Sequence, residues 1–271
     1  MLENITIGQY FPTGSVLHKL DSRVKIVLTV LYIVAVFLAN SFLALGIALV
    51  AIFAFVIMSK IKVTTYLKML KSIWFIILLT SVLNLFYIKG DKPLFSWWIL
   101  TVYPEGIERA IFIALRICLL IVISSLLTYT TSPTELTDAI ERLLSPLRFV
   151  GLGEAVHILA MMTSIALRFI PILIEETDKI MSAQKARGSN LDSGGLMDKI
   201  KAMLPILIPL IISATRRAYD LAEAMECRCY QGGKGRTKLK QMHLAVRDYI
   251  ALTVSFGFMF VIIAGRIWSI I

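Results

Sequence analysis

The chain has 271 residues, 58% of them hydrophobic and 17% charged, with a mean hydropathy of +0.79, which is too apolar for a soluble globular protein and reads as a polytopic membrane protein. The net charge of +10 does not make a nucleic-acid partner, because the Lys and Arg fall between the apolar runs. There, membrane orientation and anionic lipid headgroups account for them. Cys118, Cys227 and Cys229 make no even set, and Cys-x-Cys lacks the spacing of zinc or thioredoxin-type sites, so reduced, unliganded thiols are expected.

The N-terminus, with Glu3, Pro12 and Gly14, lacks the charged n-region and small-residue cleavage site of a secretory signal, so the first span is expected to be retained. Apolar runs at 24–40 and 43–59, joined by a turn at Asn40-Ser41, make a hairpin of two spans. Runs at 73–88 and 107–128 make two more. Between them lies the turn-rich Lys89-Gly90-Asp91-Lys92-Pro93, followed by Trp97 and Trp98, which suit a membrane interface. A fifth run, 249–264, closes the chain. Residues 158–174 and 203–212 are also apolar, but Arg168, Pro171, Pro205 and Pro209 interrupt them, so they are read as helix halves lying at the membrane face.

The fold class expected is therefore an all-α integral membrane protein. Residues 1–130 carry four transmembrane helices, 131–246 a cytoplasmic domain of three amphipathic helices, and 247–271 the fifth span. Lys19, Arg23 and Lys25, then Lys60, Lys62, Lys68 and Lys71, then the charged region 131–247 all share one side, which places the N-terminus and the middle region in the cytoplasm and the C-terminus outside.

In the middle region, Ser132-Pro133-Thr134-Glu135 is a capping-box start with Pro at the first helical position. Leu136, Ile140, Leu143, Leu144 and Leu147 then follow at helical spacing. The second helix runs over 155–187, its acidic Glu175, Glu176 and Asp178 giving way to Lys185 and Arg187, with Gly188 as a C-terminal cap. The third runs over 197–230 with Gly232-Gly233 beyond.

Two of these helices end on an arginine, in Ala186-Arg187-Gly188 and Cys227-Arg228-Cys229. One such cation is commonly a dipole partner. Two at the ends of long arms suit carboxylate-lined grooves on a partner, which a guanidinium fork can grip in two places. Ala214, Ala218 and Ala222 recur every four residues, a smooth stripe on which the second and third helices could cross and bring Arg228 near Arg187. The four long apolar runs of the first half hold no Asp, and Glu108 is their one Glu, which argues against an ion-coupled carrier. Gly151-Leu152-Gly153 and Gly232-Gly233-Lys234-Gly235 are not phosphate loops, so no ATP is expected on this chain. His18, His157 and His243 are scattered, which supports neither a metal nor a nucleophile, and no cofactor is expected. Two other classes stay open. A self-contained permease would bind solute at a set such as Asn84 with Arg116, and an integral membrane enzyme would need a reactive cluster on the cytoplasmic face.

The stretch Tyr10-Phe11-Pro12-Thr13-Gly14-Ser15-Val16-Leu17-His18-Lys19-Leu20-Asp21-Ser22-Arg23-Val24-Lys25 resembles the N-terminal signature of the T components of energy-coupling factor transporters, and residues 132–148 are similar to that family too. Ala186-Arg187-Gly188 matches the first of its two Ala-Arg-Gly motifs. Glu226-Cys227-Arg228-Cys229-Tyr230 stands at the second, with Cys in place of Ala and Gly. The resemblance implies a non-catalytic scaffold in a prokaryotic cell membrane. Its two coupling helices would dock on a pair of ABC ATPase subunits, which bind the ATP and Mg, while other surfaces hold a substrate-binding S component for a vitamin or metal ion.

Overall fold

The computed structural model describes residues 10–87, 95–97, 100–189, 195–232 and 243–268. Eight α-helices follow in order: α1 Ser22–Leu38, α2 Phe42–Met58, α3 Val63–Tyr87, α4 Pro104–Thr130, α5 Pro133–Leu144, α6 Gly153–Ala186, α7 Leu196–Cys227 and α8 Val246–Trp268. A 3-10 turn over Ser145–Val150 links α5 to α6. The departure from an all-helical chain is a short antiparallel hairpin, β1 Phe95–Trp97 paired with β2 Leu100–Val102, with Trp97 opposite Leu100. The turn at 89–93 and Trp98 lie outside the described residues.

The described residues form two compact units, one of residues 10–139 with 243–268, the other of residues 140–232. In the first, α4 packs against α1, α2 and α3, and α8 against α1. Ala35, Ala39 and Ala48 are fully buried, and in a bilayer such small residues let helices approach closely enough for dispersion to hold them, since lipid tails supply no hydrophobic drive of their own. Val36, Leu45, Ile52, Leu119, Ile123 and Leu126 fill the space between. By contrast α3 buries Tyr66 alone among its side chains, and exposes Trp74, Phe75, Ile76 and Leu83, a surface that suits lipid and not water.

The hairpin of α1 and α2 turns at Asn40-Ser41 as expected, and Ser41 caps α2 by accepting from the Ala44 N–H at 3.2 Å. The third span begins earlier than its apolar run: α3 starts at Val63 and carries Lys68 and Lys71 within it, because a helix continues past the stretch whose hydropathy marks a bilayer. A larger difference concerns residues 158–174 and 203–212, which are not helix halves. Each belongs to one continuous helix, α6 through Pro171 and α7 through Pro205 and Pro209. By length and apolarity α3, α4, α6 and α8 could each cross a membrane, while α2 is a shorter apolar helix. The loss of a donor at Pro209 is offset from the neighbouring helix. Pro209 has no N–H for the Pro205 carbonyl one turn back, and the Gln184 side-chain amide of α6 donates to that carbonyl at 3.4 Å.

The segment 10–25 is a polar knot in which Ser15, Ser22 and Lys25 are buried. His18 Nε2 donates to the Phe11 carbonyl at 2.7 Å, which leaves Nδ1 to accept from Ser15 Oγ at 2.7 Å; burial holds this imidazole below its usual pKa. Asp21 caps α1 through the Arg23 N–H, and although burial opposes its ionisation, the bonds from Arg23 hold its carboxyl below the usual range. Lys25, 6% exposed, donates to the carbonyls of His18 and Thr130, and Thr13 Oγ1 to that of Ser59. Asp248 on α8 completes the knot, accepting from the backbone N–H groups of Asp21 at 2.9 Å and Ala245 at 2.7 Å.

Candidate functional site: two arginine-tipped arms

In the second unit α6 and α7 lie antiparallel. Gln184 near the end of α6 meets Pro205 in the first half of α7, and Tyr230 just past α7 donates to Met161 Sδ near the start of α6 at 3.1 Å. Arg187 and Arg228 therefore stand at opposite ends of the pair. The crossing expected to bring them together does not do so, because a short connection between two long helices returns the chain alongside itself.

The two tips share one backbone geometry. At the first, Gly188 N–H bonds to the Lys185 carbonyl and Ser189 N–H to that of Gln184, both at 3.0 Å, with Gly188 at φ +85°. At the second, Cys229 N–H bonds to the Glu226 carbonyl at 2.8 Å and Tyr230 N–H to that of Met225 at 3.1 Å, with Cys229 at φ +54°. Each is a Schellman cap in which the arginine is the cap residue directly after the last helical one, Ala186 or Cys227, and the next residue turns left-handed. Both arginines are exposed and, among the described residues, neither guanidinium has a partner. A planar fork of donors on a rigid cap is suited to a carboxylate pocket on another protein.

Cysteine at 229 holds a conformation that costs an L-residue about 1–2 kcal/mol, which glycine does not pay. Cys229→Gly should therefore raise stability by about 1 kcal/mol, after allowance for the extra freedom glycine gains when unfolded. Gly188→Ala should lower it by a similar amount although a methyl there meets open space. Thermal unfolding in detergent checks both, and a destabilised Cys229→Gly contradicts the strain. Cys227 and Cys229 are free and exposed, and among the described residues no group of three His, Cys, Asp or Glu could hold a metal ion.

Between the arms, Ala214, Ala218 and Ala222 line a cleft of about 270 Å³ opposite Ile165, Phe169 and Leu173 of α6. The side chains that join the helices here lie outside both arginine motifs and the alanine stripe. Glu176 accepts from Ser213 Oγ, and from Arg217 Nε and Nη2 at 3.2 and 3.0 Å. The signal was available: Ser213 and Arg217 are four apart on α7, one turn of a helix, so they can reach a single carboxylate. His157 likewise has a carboxylate neighbour that its sequence position hides, Glu141 at 2.8 Å.

The polar residues that a permease reading needs are engaged with backbone. Asn84 donates to the Thr80 carbonyl of its own helix at 2.8 Å. Arg116 donates to the Ala39 carbonyl at the end of α1 and lies 4.7 Å from the Phe112 ring centroid.

These features define a multi-pass helical membrane protein with a two-armed module. Residues 13–239 match the family described as cobalt transport protein, CbiQ. The chain is 51% identical over 269 residues to the energy-coupling factor transporter transmembrane protein EcfT of Clostridium kluyveri, covering 99% of each chain. It is 49% identical over 255 residues to the protein of that name in Brevibacillus brevis, covering 94% of this chain and 96% of the other. The chain belongs to this family, the transmembrane components of energy-coupling factor transporters.

Proposed function

We propose that this chain is the energy-coupling scaffold of an ATP-driven importer. Two ABC ATPase subunits bind the ATP and Mg, and each receives one arm tip, Ala186-Arg187-Gly188 or Cys227-Arg228-Cys229. A membrane-bound S component binds a vitamin or metal ion, and ATP-driven movement of the ATPases reaches it through the arms. The observation that carries this reading is the pair of like-shaped caps, each presenting an exposed arginine without a partner among the described residues. A benzophenone label on Cys227, or on cysteine introduced by Ala186→Cys, should crosslink to an ATPase subunit in the assembled transporter. Crosslinks to lipid and the S component alone overturn the assignment.

The N-terminus and residues 131–246 are proposed to lie in the cytoplasm and the C-terminus outside, on the strength of the cation distribution. With the native cysteines replaced, Ser182→Cys should resist an impermeant maleimide in intact cells and react after lysis. Reaction in intact cells contradicts the orientation.

Ala214, Ala218 and Ala222 are proposed as the face along which the arms approach each other, since small side chains there leave the cleft its depth. Ala218→Leu places a bulky group in that space. It should leave membrane insertion intact and reduce ATP-driven uptake, and uptake equal to the parent protein assigns the stripe a filler role.

A further inference from the structure

Neither α6 nor α7 has a fully buried side chain among its described residues, and a cleft separates part of their facing surfaces. Packing therefore does little to fix the angle between them. Polar contacts remain: the Gln184 bond to Pro205 at 3.4 Å near one end, Tyr230 with Met161 near the other, and the cluster of Glu176, Ser213 and Arg217 between. Among the described residues that cluster holds the one ion pair joining the two helices. Its position is symmetrical. Arg187 lies eleven residues beyond Glu176, and Arg228 eleven residues beyond Arg217. Each tip is thus about 16 Å of helix from the cluster, on opposite sides of it because the helices are antiparallel.

We infer that Glu176, held by Ser213 and Arg217, is the pivot that fixes the angle between the arms, a positioning residue placed midway between two tips with equal levers. The inference rests on the docking role proposed above. A carboxylate that accepts from a hydroxyl on one turn and from two nitrogens of a guanidinium on the next holds α7 at two points, which restrains rotation about the contact more than one bond would. The apolar cleft lies on the Arg228 side of the cluster, between residues 165–173 and 214–225, so the arms have open space into which they can swing on that pivot. Gln184 is a neutral side chain bonded at the long end of the hydrogen-bond range, and contributes less to the angle.

The test is a distance between spin labels at Ser182→Cys and Ala224→Cys, one on each arm, with Cys118, Cys227 and Cys229 replaced by Ser, in the transporter assembled with its ATPases and S component. The parent protein should give one narrow distance that shifts as a unit when Mg·ATP and orthovanadate are added. In Glu176→Gln or Arg217→Glu, complexes at the parent distance should fall about tenfold, the size of effect that coupled contacts of this kind produce. ATP hydrolysis should continue, since the tips are untouched. The charge-swapped pair Glu176→Arg with Arg217→Glu should restore the narrow distance, which a role limited to helix folding would not predict. An unchanged narrow distance in Glu176→Gln, or a swapped pair that assembles and stays broad, overturns the pivot. Should the parent chain fail to join the ATPases, the docking reading fails instead, and the width of the distance in the chain alone still judges the pivot.

Discussion

Arg187→Glu and Arg228→Glu together should abolish assembly with the ATPase subunits. A buried charge pair across an interface typically loses about 2–5 kcal/mol when one partner is removed, and reversal adds repulsion against the carboxylates that received it. The two tips stand at opposite ends of the α6 and α7 pair and, among the described residues, share no contacts, so their losses should add. Each single reversal should weaken capture of the ATPases at least tenfold in a quantitative pull-down, and the double variant should capture none. Membrane insertion should be unaffected, because both arginines are exposed and neither guanidinium bonds to anything else among the described residues. Full capture by the double variant means that the arms dock through other groups.

The second large effect falls in the other unit. Asp248 is 1% exposed, and its two oxygens accept from the N–H groups of Asp21 and Ala245, which start the first helix and the last. Asp248→Ala leaves both half-buried donors without an acceptor, at about 1–3 kcal/mol each at most. The loss of about 3 kcal/mol should lower the unfolding midpoint in detergent by roughly 5–10 °C. Asp248→Asn keeps one acceptor oxygen and turns an amide towards the other donor, so it should fall between. A midpoint within 1 °C of the parent, in about the same detergent and salt, shows that water satisfies these donors.

Much of this architecture is legible in the sequence because each feature depends on neighbours along the chain. The start of α5 at Pro133 follows from Ser132, whose hydroxyl accepts from the Glu135 N–H at 3.3 Å. The end of α6 follows from Gly188, whose left-handed backbone closes the cap. The prolines mislead, since Pro171, Pro205 and Pro209 predict breaks from the lost donors, while rescue of the Pro205 carbonyl by Gln184 comes from another helix. The same limit applies to the site. Both tip arginines are visible as residues at helix ends, but whether the tips converge depends on how α6 and α7 run past one another. The short connection turns α7 back along α6, and the contacts that hold the two in line, such as Tyr230 with Met161, are ones that no local pattern announces. Asp248 reads as a residue just before an apolar run, and its bond to Asp21 joins opposite ends of the chain.

The most direct measurement of the central claim is ATP-driven uptake in proteoliposomes that hold this chain alone, the chain with its two ATPases, or the chain with the ATPases and the S component. If the chain is a scaffold, only the last preparation accumulates cargo, and Arg187→Glu with Arg228→Glu removes that uptake. Accumulation by the chain alone contradicts the account.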